Sequence, residues 1–304
     1  MFSNLVGGLG FHLTYLADGS DVGTALESMN NRGRPPSNLE LLKGRLLYLV
    51  GLFDETQLNA SQRAQLRRDI NSCWHTIYAF LGQNPQKVLD DNEFLRAHWI
   101  AYFLFSRPHG YDYMRFLLDA QFASRRVTGE RVHHAVIVNN PEVKRVVDEP
   151  MDEDGRAECC LPVIEALTPE TLRGYVHSLT SFARWWQASY FPQSCPGLNE
   201  EAKVAIARLN DAGLGYFRPL VAAALMRAAE GDAGDLQSLL ARIEKFIVKV
   251  FRQGAARSSF GECEFCSMTR KLFKGYLTIG QLLEWPGWRE LVIRHSAEQS
   301  RKRA

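Results

Sequence analysis

The sequence predicts a mainly α-helical fold, a multi-helix bundle with one short β-strand near the N-terminus. Apolar residues recur at helical spacing through most of the 304 residues. Helix-capping residues precede two of these segments. Alternation typical of a half-buried strand occurs only early in the chain, at residues 11–16.

Composition and charge narrow the class of protein. Hydrophobic residues make up 46% of the chain and charged residues 23%, which is typical of a globular protein and excludes a disordered one. The formal net charge of +2 is close to balance, so overall charge does not indicate nucleic-acid binding. The cysteines are widely scattered, which favours reduced thiols in a cytoplasmic protein. No apolar run has the length of a membrane span, and no membrane partner is expected.

The N-terminal elements follow from local patterns. A strand at 11–16 precedes a short helix at 21–29, and a loop rich in asparagine, glycine and proline follows. Ser37 and Glu40 then form the S-x-x-E pattern of a capping box, with a run of leucines behind it. This pattern predicts that a helix starts at Ser37.

Helix then follows helix along the remaining chain. Apolar periodicity predicts helices over 61–82, 91–106 and 111–122, and the acidic stretch 148–158 predicts an exposed loop. After that loop, four further helices are predicted over 168–191, 200–213, 216–231 and 235–254. Thr168 before Pro169 marks a helix start, Gly213 and Gly254 mark helix ends, and the basic tail 294–304 is expected to fray.

The loop at 30–36 has two interpretations on its residues alone. Gly33 can adopt positive φ, Arg32 suits phosphate oxygens, and the helix that starts at Ser37 favours an anion near its free N–H groups. Together these residues form the elements of a phosphate-binding loop. Alternatively, Gly33 ends one helix and the two prolines stiffen the connection to the next.

A longer motif bears on this choice. Residues 26–49, LESMNNRGRPPSNLELLKGRLLYL, resemble the motif F-E-T-M-N-N-R-G-K-P-L-S-x-L-E-L-L-K-N-R-L of the GmrSD-type restriction endonuclease family. Further segments resemble that family in the same order, and the resemblance spans most of the chain: NEFLRAHWIAYF, YDYMRFLLDAQF, LNDAGLGYFRPLVAAALM and IEKFIVKVFRQGAARSSFGECEF.

The resemblance implies an organisation and a function. In the family, a ParB/sulfiredoxin-like domain with a D-G-Q-Q-R box precedes this motif, and some members add an HNH nuclease domain. The printed sequence contains neither. We therefore expect a truncated member, with a remnant of the ParB-like domain at 1–58 and a helical domain at 59–304 that is subdivided at the acidic loop 148–158.

The resemblance implies that intact relatives act in antiphage defence. They would hydrolyse a nucleoside triphosphate with the help of a divalent metal ion and couple this hydrolysis to the cleavage of modified DNA. This chain is expected to be inactive alone, to carry no cofactor by itself, and to need a partner chain that supplies the missing domain. The alternative is a stand-alone helical protein-interaction module without catalytic activity.

The resemblance also implies a nucleotide- or phosphate-binding site. Arg32 would contact phosphate, Asn30 and Asn31 would hold the loop or donate to the ligand, and Ser37 would cap the helix. Lys43 is either a second basic contact or a solvated helix residue. No catalytic residue and no metal ligand is assigned. The predicted site consists of residues of the motif and the helix after it: Asn30, Asn31, Arg32, Gly33, Ser37 and Lys43.

Three other patterns have an ordinary structural interpretation that we favour. CEFC at 263–266 has zinc-ligand spacing, but cysteines one helical turn apart are more often core residues. The aromatic run at 184–191 is more typical of a core than of base stacking. The arginines at 63, 67 and 68 are more typical of a solvated helix face than of a DNA contact.

Overall fold

A computed structural model describes residues 36–84, 87–103, 113–128, 166–232 and 234–303. Within these ranges every regular element is a helix, so the predicted mainly α-helical bundle is confirmed. The predicted strand, the short helix at 21–29 and the acidic loop lie outside the described residues. Most of the first predicted domain lies outside them too, and the division at residue 58 stays a prediction.

The helices of the described residues are numbered α1 to α12 in chain order. The N-terminal half contains α1 Asn38–Leu52, α2 Ala60–Leu81, α3 Asp91–Tyr102, the short α4 Tyr113–Arg115 and α5 Arg125–Thr128. The C-terminal half contains α6 Pro169–Tyr190, α7 Glu200–Ala212, α8 Arg218–Ala229, α9 Leu236–Phe246, α10 Glu262–Phe273, α11 Ile279–Leu283 and α12 Gly287–Arg303. π-Helical turns cover Phe116–Gln121 and Ile247–Gln253, and 3₁₀ turns cover Pro192–Ser194 and Gly215–Phe217.

The predicted helix boundaries are largely confirmed, because capping chemistry is local. The Ser37 hydroxyl accepts a hydrogen bond from the Glu40 backbone N–H at 3.4 Å, and α1 starts at Asn38, directly after Ser37. Thr168 caps α6 with Pro169 in its first turn. At the end of α7, Gly213 adopts φ +86°, a left-handed conformation that favours glycine.

The centre of the bundle is α8. Its residues 219–226 are all buried, as expected for a helix that is apolar on every side. It packs against α6 and α10 most extensively and also contacts α3 and α9, while α2 covers α6 and α1 covers α2 and α3. The run of alanines at 222–224 has no exposed surface, and small side chains there let neighbouring helices approach closely.

An aromatic cluster joins α3, α6 and α10, and a histidine lies at its centre. The His98 ring is fully buried, stacks on Tyr102 with centroids 5.5 Å apart, and meets the edges of Tyr175, Phe182 and Phe273 at 5.2, 5.7 and 5.9 Å. Such edge-on contacts add to the stabilisation from burial.

The hydrogen bonds of His98 define its tautomer. Its Nε2 lies 3.0 Å from Ser178 Oγ, which donates its own hydrogen to the Tyr175 carbonyl at 2.7 Å. Nε2 must therefore carry the proton, which leaves Nδ1 as an acceptor, and Nδ1 has no hydrogen-bond partner among the described residues. Burial, followed by the charge of Lys274, lowers the pKa of His98 to about 3. His98 is therefore a neutral core residue at physiological pH.

One prediction about local structure is wrong, and another is correct only in part. The segment 111–122 was predicted to be a helix; its described part is helical, but it is a single α-turn followed by the π-helical Phe116–Gln121. The tail was expected to fray, yet α12 continues to Arg303. It is anchored because His295 Nε2 and Gln299 Nε2 lie 2.8 and 2.9 Å from the Gly254 carbonyl oxygen.

None of the helices in the described part of the chain combines the length and the apolar character that a membrane span requires.

Candidate functional site

The start of α1 lies directly beside the start of α3. Ser37 Oγ donates to Asp91 Oδ2 at 2.6 Å, and the Asn38 backbone N–H donates to Asn92 Oδ1 at 2.9 Å. The Asn38 side chain also donates to the Tyr113 hydroxyl at 2.9 Å. The residue that follows the predicted phosphate loop is thus held by contacts with residues more than fifty positions away in the sequence.

A tyrosine of α2 closes this cluster. Tyr78 Oη lies 2.6 Å from Glu40 Oε1 and 3.2 Å from Asp91 Oδ2. Partial burial, followed by the hydrogen bond to Glu40, raises the pKa of Tyr78 well above its usual range. Tyr78 is therefore protonated, and its single hydroxyl hydrogen is directed to Glu40 at the shorter distance, while Asp91 accepts the hydroxyl hydrogen of Ser37.

The predicted site residues are only partly described. Ser37 serves as the helix cap, as predicted, and its hydroxyl hydrogen is directed to Asp91. Lys43 lies partly buried on α1, well inside the helix. The four loop residues predicted to contact the ligand lie outside the described residues: Asn30, Asn31, Arg32 and Gly33.

Sequence inspection missed the residues that surround Ser37. Asp91 and Asn92 open α3, and Tyr78 lies near the end of α2. Asp91 does carry a recognisable pattern, an acidic residue in the first turn of a helix, but that pattern does not reveal a partner elsewhere in the chain. The one sequence indication was the expected relation of the segment at 92–103 to the family suggested for the motif before α1.

The other motifs occupy structural positions. Trp185 and Trp186 are 7% and 4% exposed, so the aromatic run is part of the core. Cys266 is buried on α10, and Cys263 lies one turn before it. In the described ranges no group of three histidine, cysteine or acidic side chains is placed to hold a metal ion.

Cys73, Arg63 and Arg68 of α2 also have ordinary structural explanations. Burial raises the pKa of the Cys73 thiol to about 11, so this thiol is not an activated nucleophile. Arg63 Nη2 donates to the Phe53 carbonyl at 2.6 Å and so fixes the connection between α1 and α2. Arg68 is exposed and bonds Gln65 on its own helix, as expected for a solvated face.

A pocket of about 360 Å³ lies between two segments of the C-terminal half. One wall is the turn between α7 and α8, residues 212–217, and the other comes from residues 247–262, which include the second π-helical segment.

Comparisons with protein-family models, with curated proteins and with solved structures each found no match.

The hydroxyl of Ser37 gives a first test of the α1 start. A Ser37→Ala substitution is expected to lower the free energy of unfolding by about 1–2 kcal/mol, because it removes a cap and a hydrogen bond to a carboxylate. Urea denaturation followed by circular dichroism measures this loss. Ser37→Thr retains the hydroxyl and is the control. A Ser37→Ala protein within about 0.3 kcal/mol of wild type would show that neither contact contributes.

Proposed function

We propose that this chain is the helical portion of a GmrSD-like, modification-dependent restriction protein that acts in antiphage defence. The proposal assigns the chain a role in binding nucleotide or DNA backbone through the loop before α1. Catalysis is assigned to a segment with the D-G-Q-Q-R box, supplied by a partner chain. The observation that carries the proposal is the motif at residues 26–49, followed by four similar segments in family order.

The packing of those four segments supports the proposal. In the N-terminal pair, Trp99 of α3 meets Tyr113 and Phe116 with ring centroids 5.8 and 6.2 Å apart. In the C-terminal pair, Phe217 meets Phe246 and Phe265 with ring centroids 5.8 and 4.6 Å apart, and α8 contacts α3. The resemblance therefore falls on residues that form one packed unit rather than on isolated motifs. A packed unit is what a shared domain requires.

The docking of α1 supports the role given to the loop. α1 is held by its leucines in the core and by Trp74 Nε1 of α2, which donates to the Leu39 carbonyl at 3.1 Å. A loop that leads into a rigid helix start has one end fixed, and a fixed end lowers the entropic cost of ordering a binding loop. In the proposal, Arg32 contacts a phosphate, and Lys43 is a second basic contact farther along the helix.

The proposal also names substrates and cofactors. A guanidinium at position 32 suits the planar, bidentate recognition of phosphate that nucleotides and DNA share. We propose that the complete assembly uses a nucleoside triphosphate with a divalent metal ion and acts on modified DNA. The present chain contributes the loop, and the metal ligands and the hydrolytic residues are assigned to the partner.

Titration with nucleotide tests the proposal. The wild-type chain is mixed with each of the four nucleoside triphosphates and Mg²⁺, and the dissociation constant is measured by calorimetry. Arg32→Ala is expected to raise that constant about tenfold or more, since a charge-assisted bond to phosphate contributes about 1.5–3 kcal/mol. Arg68→Ala removes an exposed arginine of α2 and is expected to leave the constant unchanged.

Two outcomes would contradict the proposal. One is an equal effect of Arg32→Ala and Arg68→Ala, which would show that the loop has no special contact. The other is the absence of binding to every triphosphate and to duplex DNA at low salt, where phosphate contacts are strongest. The second outcome would favour a helical protein-interaction module instead.

A further inference from the structure

The pocket between the α7–α8 turn and residues 247–262 has the construction of a small-molecule site. Its volume of about 360 Å³ lies within the range of about 300–1,000 Å³ that is usual for ligand pockets. Its lining combines aromatic side chains with polar and charged ones, and the side chains that matter for recognition are Tyr216, Phe217, Phe251, Arg252, Ser258 and Glu262.

The aromatic residues are held rigidly. Phe217 is only 2% exposed and stacks on Tyr216 with centroids 4.5 Å apart, and Phe251 meets Tyr216 edge-on at 6.0 Å. The Tyr216 hydroxyl donates to the Phe260 carbonyl, so the ring is fixed at both ends. Tyr216 and Phe251 are only partly buried and therefore offer ring surface to a planar ligand.

Arg252 lines the pocket, and its side chain is held in place. Its Nε and Nη2 both donate to the Ala212 carbonyl, at 2.9 and 2.5 Å. Nη1, with its own N–H donors, is not committed to that carbonyl. Gly213 permits this arrangement, because a Cβ there would lie 2.5 Å from Arg252 Nη2. The guanidinium is thus oriented in advance, which reduces the entropy lost when it binds an anion.

We propose that this pocket binds a small molecule with a planar aromatic body and an anionic group. The aromatic body would lie against Tyr216 and Phe251, and the anion would accept hydrogen bonds from Arg252. Ser258 offers a further donor for the anion. The Glu262 carboxylate would accept a hydrogen bond from a hydroxyl or amino group on the ligand body, as a mononucleotide carries, and it would repel the anionic group. This inference does not depend on the proposed function, because the residues that it uses all belong to the two walls, 212–217 and 247–262.

Four probes separate the parts of this proposal. Adenosine monophosphate carries ring and anion, adenosine carries the ring alone, inorganic phosphate carries the anion alone, and indole-3-acetate is an aromatic anion from another chemical source. Calorimetric titration of the full chain is expected to show that one or both aromatic anions bind with a dissociation constant below about 1 mM. Adenosine and phosphate are each expected to bind about tenfold more weakly or not at all.

Substitutions identify the site. Arg252→Gln is expected to weaken binding of the aromatic anion about tenfold or more, while Arg257→Gln, an exposed arginine nearby that does not line the pocket, changes it by less than about twofold. Thermal unfolding of each variant verifies that it is folded. If Arg252→Gln does not fold, Arg252→Lys replaces it. The lysine keeps a positive charge but loses the planar fork of donors that the guanidinium offers to an anion, so weaker binding is again expected.

Three results would overturn the inference. One is the failure of both aromatic anions to bind wild type below about 1 mM. Another is equal loss of affinity in the variants of residues 252 and 257. The third is binding that Arg32→Ala abolishes and Arg252→Gln leaves intact, because that binding would belong to the loop before α1. Loss of triphosphate binding in Arg32→Ala with unchanged pocket affinity would instead support both sites.

Discussion

Acidification is expected to destabilise this protein steeply between about pH 6.5 and pH 3, and His98 is the reason. The folded protein holds His98 neutral with a pKa of about 3, against an ordinary value of 6.5. In this interval the unfolded chain binds a proton that the folded chain does not, so stability falls as pH falls. The penalty is absent above pH 6.5 and grows by about 1.4 kcal/mol for each pH unit below it.

The measurement is a series of urea denaturations between about pH 7 and pH 4, for wild type and His98→Leu. Carboxylates also titrate in this range, so the quantity of interest is the difference between the two proteins. The leucine variant is expected to have the flatter dependence, because no buried histidine must be charged. His75→Leu, at an exposed position of α2, is the control and should retain the wild-type slope. Identical slopes for wild type and His98→Leu would contradict the assignment.

The charge of Lys274 strengthens this expectation. Its Nζ lies 3.1 Å from the centre of the Tyr102 ring, and that ring stacks on His98. Burial, followed by the charge of Arg270, lowers the pKa of Lys274 to about 8. Below about pH 8 Lys274 carries a positive charge, which opposes protonation of the nearby His98 ring. The charge of Lys274 therefore helps to keep the pKa of folded His98 low and adds to the loss of stability at acidic pH.

Truncation of Trp74 is the other substitution with a large expected effect. Trp74 is 1% exposed, and it both fills the contact between α1 and α2 and donates to the Leu39 carbonyl. Trp74→Ala is expected to lower the free energy of unfolding by about 3–5 kcal/mol, because it opens a large cavity and removes a hydrogen bond. Chemical denaturation monitored by circular dichroism measures the change.

A conservative substitution separates the two contributions of Trp74. Trp74→Phe keeps most of the ring volume and loses the indole N–H, so the expected loss is smaller, about 1–2 kcal/mol. A Trp74→Ala protein within about 1 kcal/mol of wild type would show that α1 is not docked in this way. Because α1 follows the loop proposed to bind phosphate, weaker docking of α1 is also expected to raise the dissociation constant of any ligand that the loop binds.

The sequence predicted those parts of the fold that depend on neighbouring residues. Ser37, Thr168 and Pro169 define helix starts through contacts within a single turn, and Gly213 ends a helix because its φ of +86° favours glycine. Apolar periodicity was sufficient to identify α2, α6 and α7, since each buries one face. Such features do not depend on the remainder of the chain.

Features that depend on distant residues were not predictable. The π-helical turns at 116–121 and 247–253 have ordinary helical periodicity. The bond between Ser37 and Asp91 joins residues 54 positions apart, and the one between Arg252 and Ala212 joins residues 40 apart. Both candidate sites are built on such contacts, so a motif could indicate the loop before α1 but not its surroundings, and no motif indicated the pocket.

The adjacent starts of α1 and α3 have an electrostatic consequence. Two positive dipole ends meet where Ser37 bonds Asp91, but the first turns also carry the carboxylates of Glu40, Asp91 and Glu93. These acidic groups offset the dipoles, so an incoming phosphate gains little from the helix ends. Its attraction would come from the arginines of the preceding loop, whose field is screened by salt over about 10 Å. Ionic strength would then determine how far from the surface an anion is drawn in.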